Sequence, residues 1–341
     1  MSENKNGFFA RLFLKAAAYS GASFGTMDHG MVNKVFGTMT STAGKTVSNE
    51  TAMTLSAAWS CMRVLSETIG SLPWSIYKRG KDGSSEKDDK HPLAHILTSP
   101  NEDMTGSEYR EALVLNLCQS GNAYSLIGRS ADLVTSLYPL PSRLVEPKRK
   151  DGNNTRLAIP NGTPFYTLNR GGAPEDYLRE SIWHIKGFGG DGFVGLSPLA
   201  YARDVMGFAL ATEEFGSKFF AQGGKPSGIA SIPNWLSADQ RKLAREQLQQ
   251  MIGGMANMHK FALFEGGIKP EPWGDMPLQD MEFLLLRKFS VTEICRIYRV
   301  PPHMVAELDK ATFSNIEQQS QEFVQYTLMP YFTRIESSMS R

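Results

Sequence analysis

The sequence carries no excess of charge of either sign: 36 Lys and Arg stand against 35 Asp and Glu in 341 residues, a net charge of +1. So balanced a total generates no global field that would bind a polyanion tightly. Cysteine is scarce. Cys61, Cys118 and Cys295 are odd in number, far apart and set in apolar helical patterns, which excludes a disulfide framework and reads as reduced core residues of a cytosolic compartment. Long hydrophobic runs are missing too: Arg203 and Asp204 interrupt the best candidate, short of the roughly 20 residues a membrane helix needs. The amino-terminal GFFARLFLKAAAY has Arg11 and Lys15 inside its apolar stretch, against a secretory signal and in favour of a short amphipathic arm. Catalytic constellations are also lacking. There is no Ser or Cys with a plausible base and orienter, no metal-ligand cluster and no paired carboxylates at a defined spacing, so no enzyme activity and no cofactor or metal is expected.

The composition, 41% hydrophobic and 21% charged, is that of a soluble globular protein, and the length allows one large or two modest domains. Residues 1–50, rich in Gly, Ser, Thr and Met, read as a mobile arm. Three local patterns imitate binding motifs. Ala43-Gly44-Lys45-Thr46 resembles the end of a phosphate-binding loop, but Met39 stands where the first glycine is needed, and no strand or helix flanks it. Gly187, Gly189 and Gly192 have dinucleotide spacing after a short strand. The next helix, however, opens only at Ser197-Pro198, too late to aim its amino terminus at a pyrophosphate. His91 and His95 are four apart, as two ligands on a helix would be, without a third ligand. A nucleotide-dependent enzyme using either glycine pattern is the alternative these strings leave open, and a monomeric helical scaffold is another.

Helical period and punctuation give an α+β chain. Leu55, Trp59, Met62, Leu65, Ile69 and Leu72 describe an amphipathic helix stopped by Pro73, followed by a strand over Trp74 to Lys78. Thr105 and Glu108 form a capping box for a helix that Gly121 closes. Strands are expected at Asn122 to Arg129, Thr135 to Leu140, Arg143 to Pro147 and Ser181 to Lys186. Ser197 and Pro198 open a helix of about 25 residues, near 37 Å, that runs to Gly223. Its small residues, among them Gly207, Ala211 and Gly216, suit either a core or close packing against copies of itself. A compact insertion over Pro226 to Gly274 contains a strand at Gly228 to Ile232, a helix capped by Ser237, and strands at Lys260 to Phe264 and Ile268 to Trp273.

The stretch from Met281 to Arg334 organises the rest. Met281, Leu284, Leu285, Val291, Ile294 and Ile297 mark a helix of about 20 residues that Pro301 ends, while Leu286, Phe283 and Phe289 fall outside that stripe. No clean polar face survives, which implies burial on more than one side. A polar run, Glu307 to Ser314, then leads to a helix with Ser314 and Glu317 at capping-box spacing, bent or broken at Pro330.

The residues YRVPPHMVAELDKATFSNIEQQSQEFVQYTLMPYFTRIE closely resemble the signature of portal proteins of tailed bacteriophages: a VPP, then A-T-(Y/F)-S-N-(I/V)-E-Q, then a long helix. SLPWSIYKR, GNAYSLIGR, LYPLPSRLVEP and the Gly195, Ser197, Pro198, Leu199 pattern resemble the same family, so the likeness runs from about Ala52 to Glu336. It implies a portal fold: a mobile arm (1–50), an α/β wing (51–196), a first stem helix (197–225), a small α/β clip (226–277), a second stem helix (278–306), a tunnel loop (307–314) and a carboxy-terminal helix (315–341) with the crown short or absent. It implies a homo-oligomeric ring, normally a dodecamer, at one capsid vertex of the virion, assembled in the host cytoplasm, with double-stranded DNA in its channel. The implied partners are the terminase large subunit, the major capsid or scaffolding protein and a head-tail adaptor, with no membrane. Asp309, Lys310, Thr312 and Phe313 would then face DNA, Lys310 being the loop's one base, while Gly207, Ala211, Gly216, Leu285 and Phe289 would pack the stem helices.

Overall fold

The computed structural model describes residues 39–221 apart from 81, 132 and 190, then 229–231, 269–271, 280–308 and 313–340, with isolated positions between 237 and 246. The arm over residues 1–38, the insertion helix capped by Ser237 and the strand expected at Lys260 to Phe264 lie outside the described residues or almost entirely so. The fold is mixed, as expected. It opens with a hairpin of β1 (Met39–Thr40) and β2 (Thr46–Val47), then α1 (Asn49–Met53), α2 (Ser56–Ser71), a second hairpin of β3 (Tyr77–Arg79) and β4 (Ser85–Lys87), α3 (Pro92–Thr98) and α4 (Gly106–Ser120). Strands β5 (Asn122–Ser130), β6 (Leu133–Leu140), β7 (Val145–Arg149), β8 (Pro164–Leu168), β9 (Glu175–Leu178) and β10 (Ile182–Lys186) follow. They pair antiparallel as two three-stranded sheets, β10-β5-β6 and β7-β8-β9. Then come α5 (Pro198–Tyr201), α6 (Arg203–Ala221), the antiparallel pair β11 (Ile229–Ser231) and β12 (Lys269–Glu271), α7 (Asp280–Tyr298), α8 (Phe313–Glu322) and α9 (Met329–Met339).

Local chemistry accounts for several boundaries. The Thr105 side chain caps α4 by accepting from the Glu108 amide while Glu108 reaches back to the Thr105 amide, and Gly121 ends the helix in the left-handed conformation at φ 70°. The inward stripe of α2, Ala58, Cys61, Met62, Leu65 and Ile69, is the centre of the main core. Val114 and Cys118 of α4, Met206 and Ala209 of α6, and Ile294, Cys295 and Tyr298 of α7 belong to the same cluster. A second face of α4, Tyr109, Leu113 and Leu117, packs with Ala123, Leu137 and Ile185 of the first sheet and with Ile335 of α9. Tyr124, Leu140, Val145, Tyr166, Leu168 and Ile182 form a third cluster spanning the two sheets.

The structure departs from the expected elements in several places. Residues 39–50, read as the end of the arm, are a hairpin and the start of α1, which Ser48 caps, because α6 offers the hairpin a surface. Trp59 and Leu72, counted in the α2 stripe, are exposed, and Ala58 and Cys61 fill that face instead. Strands β4, β8 and β9 have no counterpart in the expected elements, and the strand expected over Trp74 to Lys78 is confined to Tyr77–Arg79, which pairs with β4. The long helix from Pro198 is interrupted at Ala202, whose amide bonds back to Pro198 O before α6 begins. Helix α8 is already under way at Phe313, one residue before the expected cap Ser314. Finally, Pro330 does not break the last helix: residues Phe323–Leu328 widen into a π segment and Pro330 falls in the first turn of α9, where its missing N–H is tolerated.

Candidate functional site

Both glycine patterns are consumed by the chain itself. In the Ala43 to Thr46 stretch, the Ser41 amide donates to Lys45 O at 2.7 Å and the Gly44 amide to Ser41 O at 2.9 Å, closing the hairpin rather than cradling a phosphate. Lys45, the residue that would reach over a phosphate, is paired with Glu214 of α6, and the Thr42 amide bonds Asp204 at 3.0 Å. The Gly187 to Gly195 loop lies backbone against backbone on the end of α4. The Gly187 amide donates to Gly121 O at 2.8 Å, and a Cβ on Gly195 would stand 2.0 Å from that same oxygen. Asn122 completes the junction, accepting from the Gly195 amide at 2.7 Å and donating to Gly195 O at 2.9 Å. These glycines permit close approach of two loops, not of a cofactor. His91 has a local duty too: its Nδ1 accepts from the Leu93 amide at 3.2 Å and caps α3. Among the described residues no group of three or more His, Cys, Asp or Glu is placed to hold a metal, and no helix is long and apolar enough to cross a membrane.

The two long helices carry the more informative surface. Helix α6 buries Met206, Ala209, Thr212 and Gly216 on one side, while Phe208 and Phe215, seven residues apart, are exposed on the opposite side. Helix α7 buries Ser290, Ile294, Cys295 and Tyr298, but every residue from 285 to 289 is exposed, including Leu285 at 59%, Leu286 at 44% and Phe289 at 57%. A helical turn apolar on several faces and covered on none is unusual on an isolated chain. Leu285 and Phe289 are thus both exposed in the single chain. Phe208 and Phe215 were missed in the sequence, although their seven-residue spacing opposite Met206 was the signal.

Gly207 behaves differently from expectation. A Cβ there would stand 2.0 Å from Ser41 Oγ and 2.2 Å from Ser41 Cβ, so its lack of a side chain admits this chain's own hairpin rather than another long helix. Ala211 is half-buried and Gly216 buried on the inward side of α6. Of the loop residues, Asp309, Lys310 and Thr312 lie outside the described residues, and Phe313 is described only as the first residue of α8. The chain enters that loop through Arg299 at φ 57°, a 3-10 turn over Pro302–Val305, and Ala306 at φ 63°. Thr327 Oγ1 donates to Arg299 O at 2.7 Å and His303 Nδ1 meets Gln319 Oε1 at 2.9 Å, so the approach to the loop is pinned to α8 and the π segment that follows it. An open cleft of about 450 Å³ lies between these parts, lined by Cys295, Arg296, Arg299, Gln319 and Tyr326 among others.

A second concavity, about 770 Å³, opens between the first sheet, α3 and α9, with Ile127, Leu137 and Trp183 in its wall and Arg129, Arg179 and Arg334 around it. His184 lines it without being a plausible base. Burial, followed by the charges of Lys186 and Arg179, pushes its pKa down to about 3. Its ring is engaged on both sides, by Tyr166 OH at 3.1 Å and Asn122 Oδ1 at 3.0 Å.

Comparison with known proteins agrees with the resemblance. Residues 56–341 match the family described as phage portal protein. The portal protein of Enterobacteria phage HK97 is 36% identical over 301 residues, covering 86% of this chain and 68% of that protein. The probable portal protein of Streptomyces phage phiC31 is 33% identical over 316 residues, covering 88% and 66%. The chain thus spans about two thirds of the length of these relatives. In fold it is similar to a crystal structure of an HK97-family phage portal protein from Corynebacterium diphtheriae, with a TM-score of 0.60 at 14% identity over 85% of this chain and 88% of the other. It is also similar to a chain from the neck of a native gene transfer agent particle, with a TM-score of 0.59 at 22% identity over 95% and 83%. The chain belongs to the phage portal protein family.

Proposed function

We propose that copies of this chain close into a ring at one vertex of a virion capsid, twelve by analogy with the twelvefold symmetry of the gene transfer agent neck. The ring forms the channel through which double-stranded DNA is packaged and ejected. The observation that carries this reading is the uncovered apolar turn Leu285, Leu286 and Phe289 in a chain of the portal family. Each such side chain, already about half covered, gains about 1–1.5 kcal/mol when a neighbour covers the rest, and a head-to-tail ring covers it in every copy. Helices α6 and α7 are then the stem, residues 51–196 the wing, residues 226–277 the clip, and residues 307–314 the tunnel loop, with Lys310 toward DNA. The terminase large subunit, the major capsid or scaffolding protein and a head-tail adaptor are the partners. The assembly forms in the host cytoplasm, and its work is mechanical rather than catalytic.

Negative-stain electron microscopy of the purified chain, alongside its solution mass, tests the ring. Rings with an axial hole are expected. The double substitution Leu285→Ser with Phe289→Ser is expected to shift the mass toward monomer while the circular dichroism spectrum stays unchanged. A wild-type monomer persisting at high concentration would count against the ring, and unaltered rings in the double variant would remove this surface from its contacts.

A further inference from the structure

Cys61 on α2 and Cys295 on α7 are 234 positions apart, yet in the core Cys61 Sγ donates to Cys295 Sγ at 3.8 Å. Both are free thiols, exposed by 0% and 2%. We propose that they form a modification site, a thiol pair that a two-electron oxidant of the peroxide class closes to a disulfide tying α2 to α7. Bond formation needs the two sulfurs to close from 3.8 Å to the ~2.05 Å bond length. Facing residues on packed helices 8–10 Å apart also bring their Cα atoms to roughly the 4–6 Å that a disulfide spans.

The cleft beside α7 supplies access. Cys295 contributes to its wall together with Arg296 and Arg299, whereas Cys61 is fully enclosed. Cys295, the member of the pair that borders the cleft, is the attacking sulfur. Its thiolate takes one oxygen of hydrogen peroxide: the S–O bond forms as O–O breaks, and the departing hydroxide leaves as water with the proton Cys295 released. The Cys61 sulfur then attacks the sulfenic sulfur, S–S forms as S–O breaks, and a second water carries off the Cys61 proton. Two thiols lose two electrons and the peroxide gains them. Cys118 is an internal control, since its sulfur meets the Tyr331 hydroxyl at 3.8 Å and burial pushes its pKa up to about 12.

The disulfide would fix the carboxy-terminal end of α7 against the main core, about two to three turns along the helix from Leu285 and Phe289. Its chemistry does not depend on the ring reading and is read out in any oligomeric state. The full chain is treated with graded hydrogen peroxide, quenched, unfolded in N-ethylmaleimide and mapped by mass spectrometry. The expected product carries one maleimide instead of three, has the Cys61 and Cys295 peptides joined, keeps Cys118 alkylated, and reverts with dithiothreitol. Its apparent melting temperature should rise by on the order of 5–10 °C, because the loop closed is long. Cys295→Ser should abolish the link and Cys118→Ser should not; if a variant fails to fold, the peptide map of the unaltered chain decides alone. Three maleimides at doses that already oxidise methionine, a Cys295 that stops at sulfinic acid, or Cys118 in the bond would overturn the proposal.

Discussion

Lowering the pH from 7 to 5 should cost this fold about 2 kcal/mol through His184 alone. In the folded chain its imidazole is half-buried in the wall of the concavity, held between Tyr166 and Asn122 beside the charges of Lys186 and Arg179, with its pKa pushed down to about 3. Unfolded, it returns to about 6.5. Below pH 6.5 the unfolded chain therefore binds a proton that the folded chain refuses. The His184 contribution is fully present above that pH and is lost as pH falls toward 3. At pH 5 the unfolded side chain is about 1.5 units below its pKa and the folded one still neutral, which at ~1.36 kcal/mol per unit gives about 2 kcal/mol. The assay is the urea midpoint at pH 7 and pH 5 for wild type and His184→Gln, which keeps a donor and an acceptor but cannot titrate. The variant should be less stable at pH 7 through imperfect replacement, yet lose about 2 kcal/mol less than wild type between the two pH values. An equal loss in both proteins, or an NMR titration of His184 centred near 6.5, would refute the account of a neutral imidazole locked in the junction.

Gly207→Leu should displace the amino-terminal hairpin, lowering stability by about 1–3 kcal/mol and exposing the chain to proteolysis before α1; Ser41→Gly in the same chain should restore part of the loss. Urea denaturation of the two single variants and the double variant checks this. Thr105→Ala removes the capping box of α4 and should cost about 1 kcal/mol with no change in oligomeric mass, as read by thermal denaturation. Lys310→Ala should leave rings intact and alter DNA packaging or retention; normal packaged length and infectivity would dismiss a role for that lysine.

Helices were the most legible part of the chain because their signals are local. Thr105 with Glu108 and Gly121 mark the two ends of α4 within one turn each, and Pro198 and Pro301 act through backbone chemistry that no distant contact needs to supply. Strands β8 and β9 were illegible for the opposite reason. Pro164–Leu168 is buried along nearly its whole length as the central strand of its sheet and so lacks alternation, and Glu175–Leu178 is short and polar at one end. The exposed turn at Leu285 to Phe289 was half legible: apolar residues on several faces signalled contact on more than one side, but not which side this chain covers by itself.

What the sequence determined by itself was the family, from a motif run shared with portal proteins, and the order of most helices, from period and caps. The tertiary structure decided what the ambiguous strings are for. Ala43 to Thr46 is a hairpin turn because Asp204 and Glu214 of α6 hold it, and the glycines at 187 and 195 serve the backbone of Gly121 because Asn122 draws the two loops together. Cys61 and Cys295 became a pair only when α2 met α7. Each of these depends on residues dozens to hundreds of positions away, and sequence spacing carries no information about such distances until the core has closed around them.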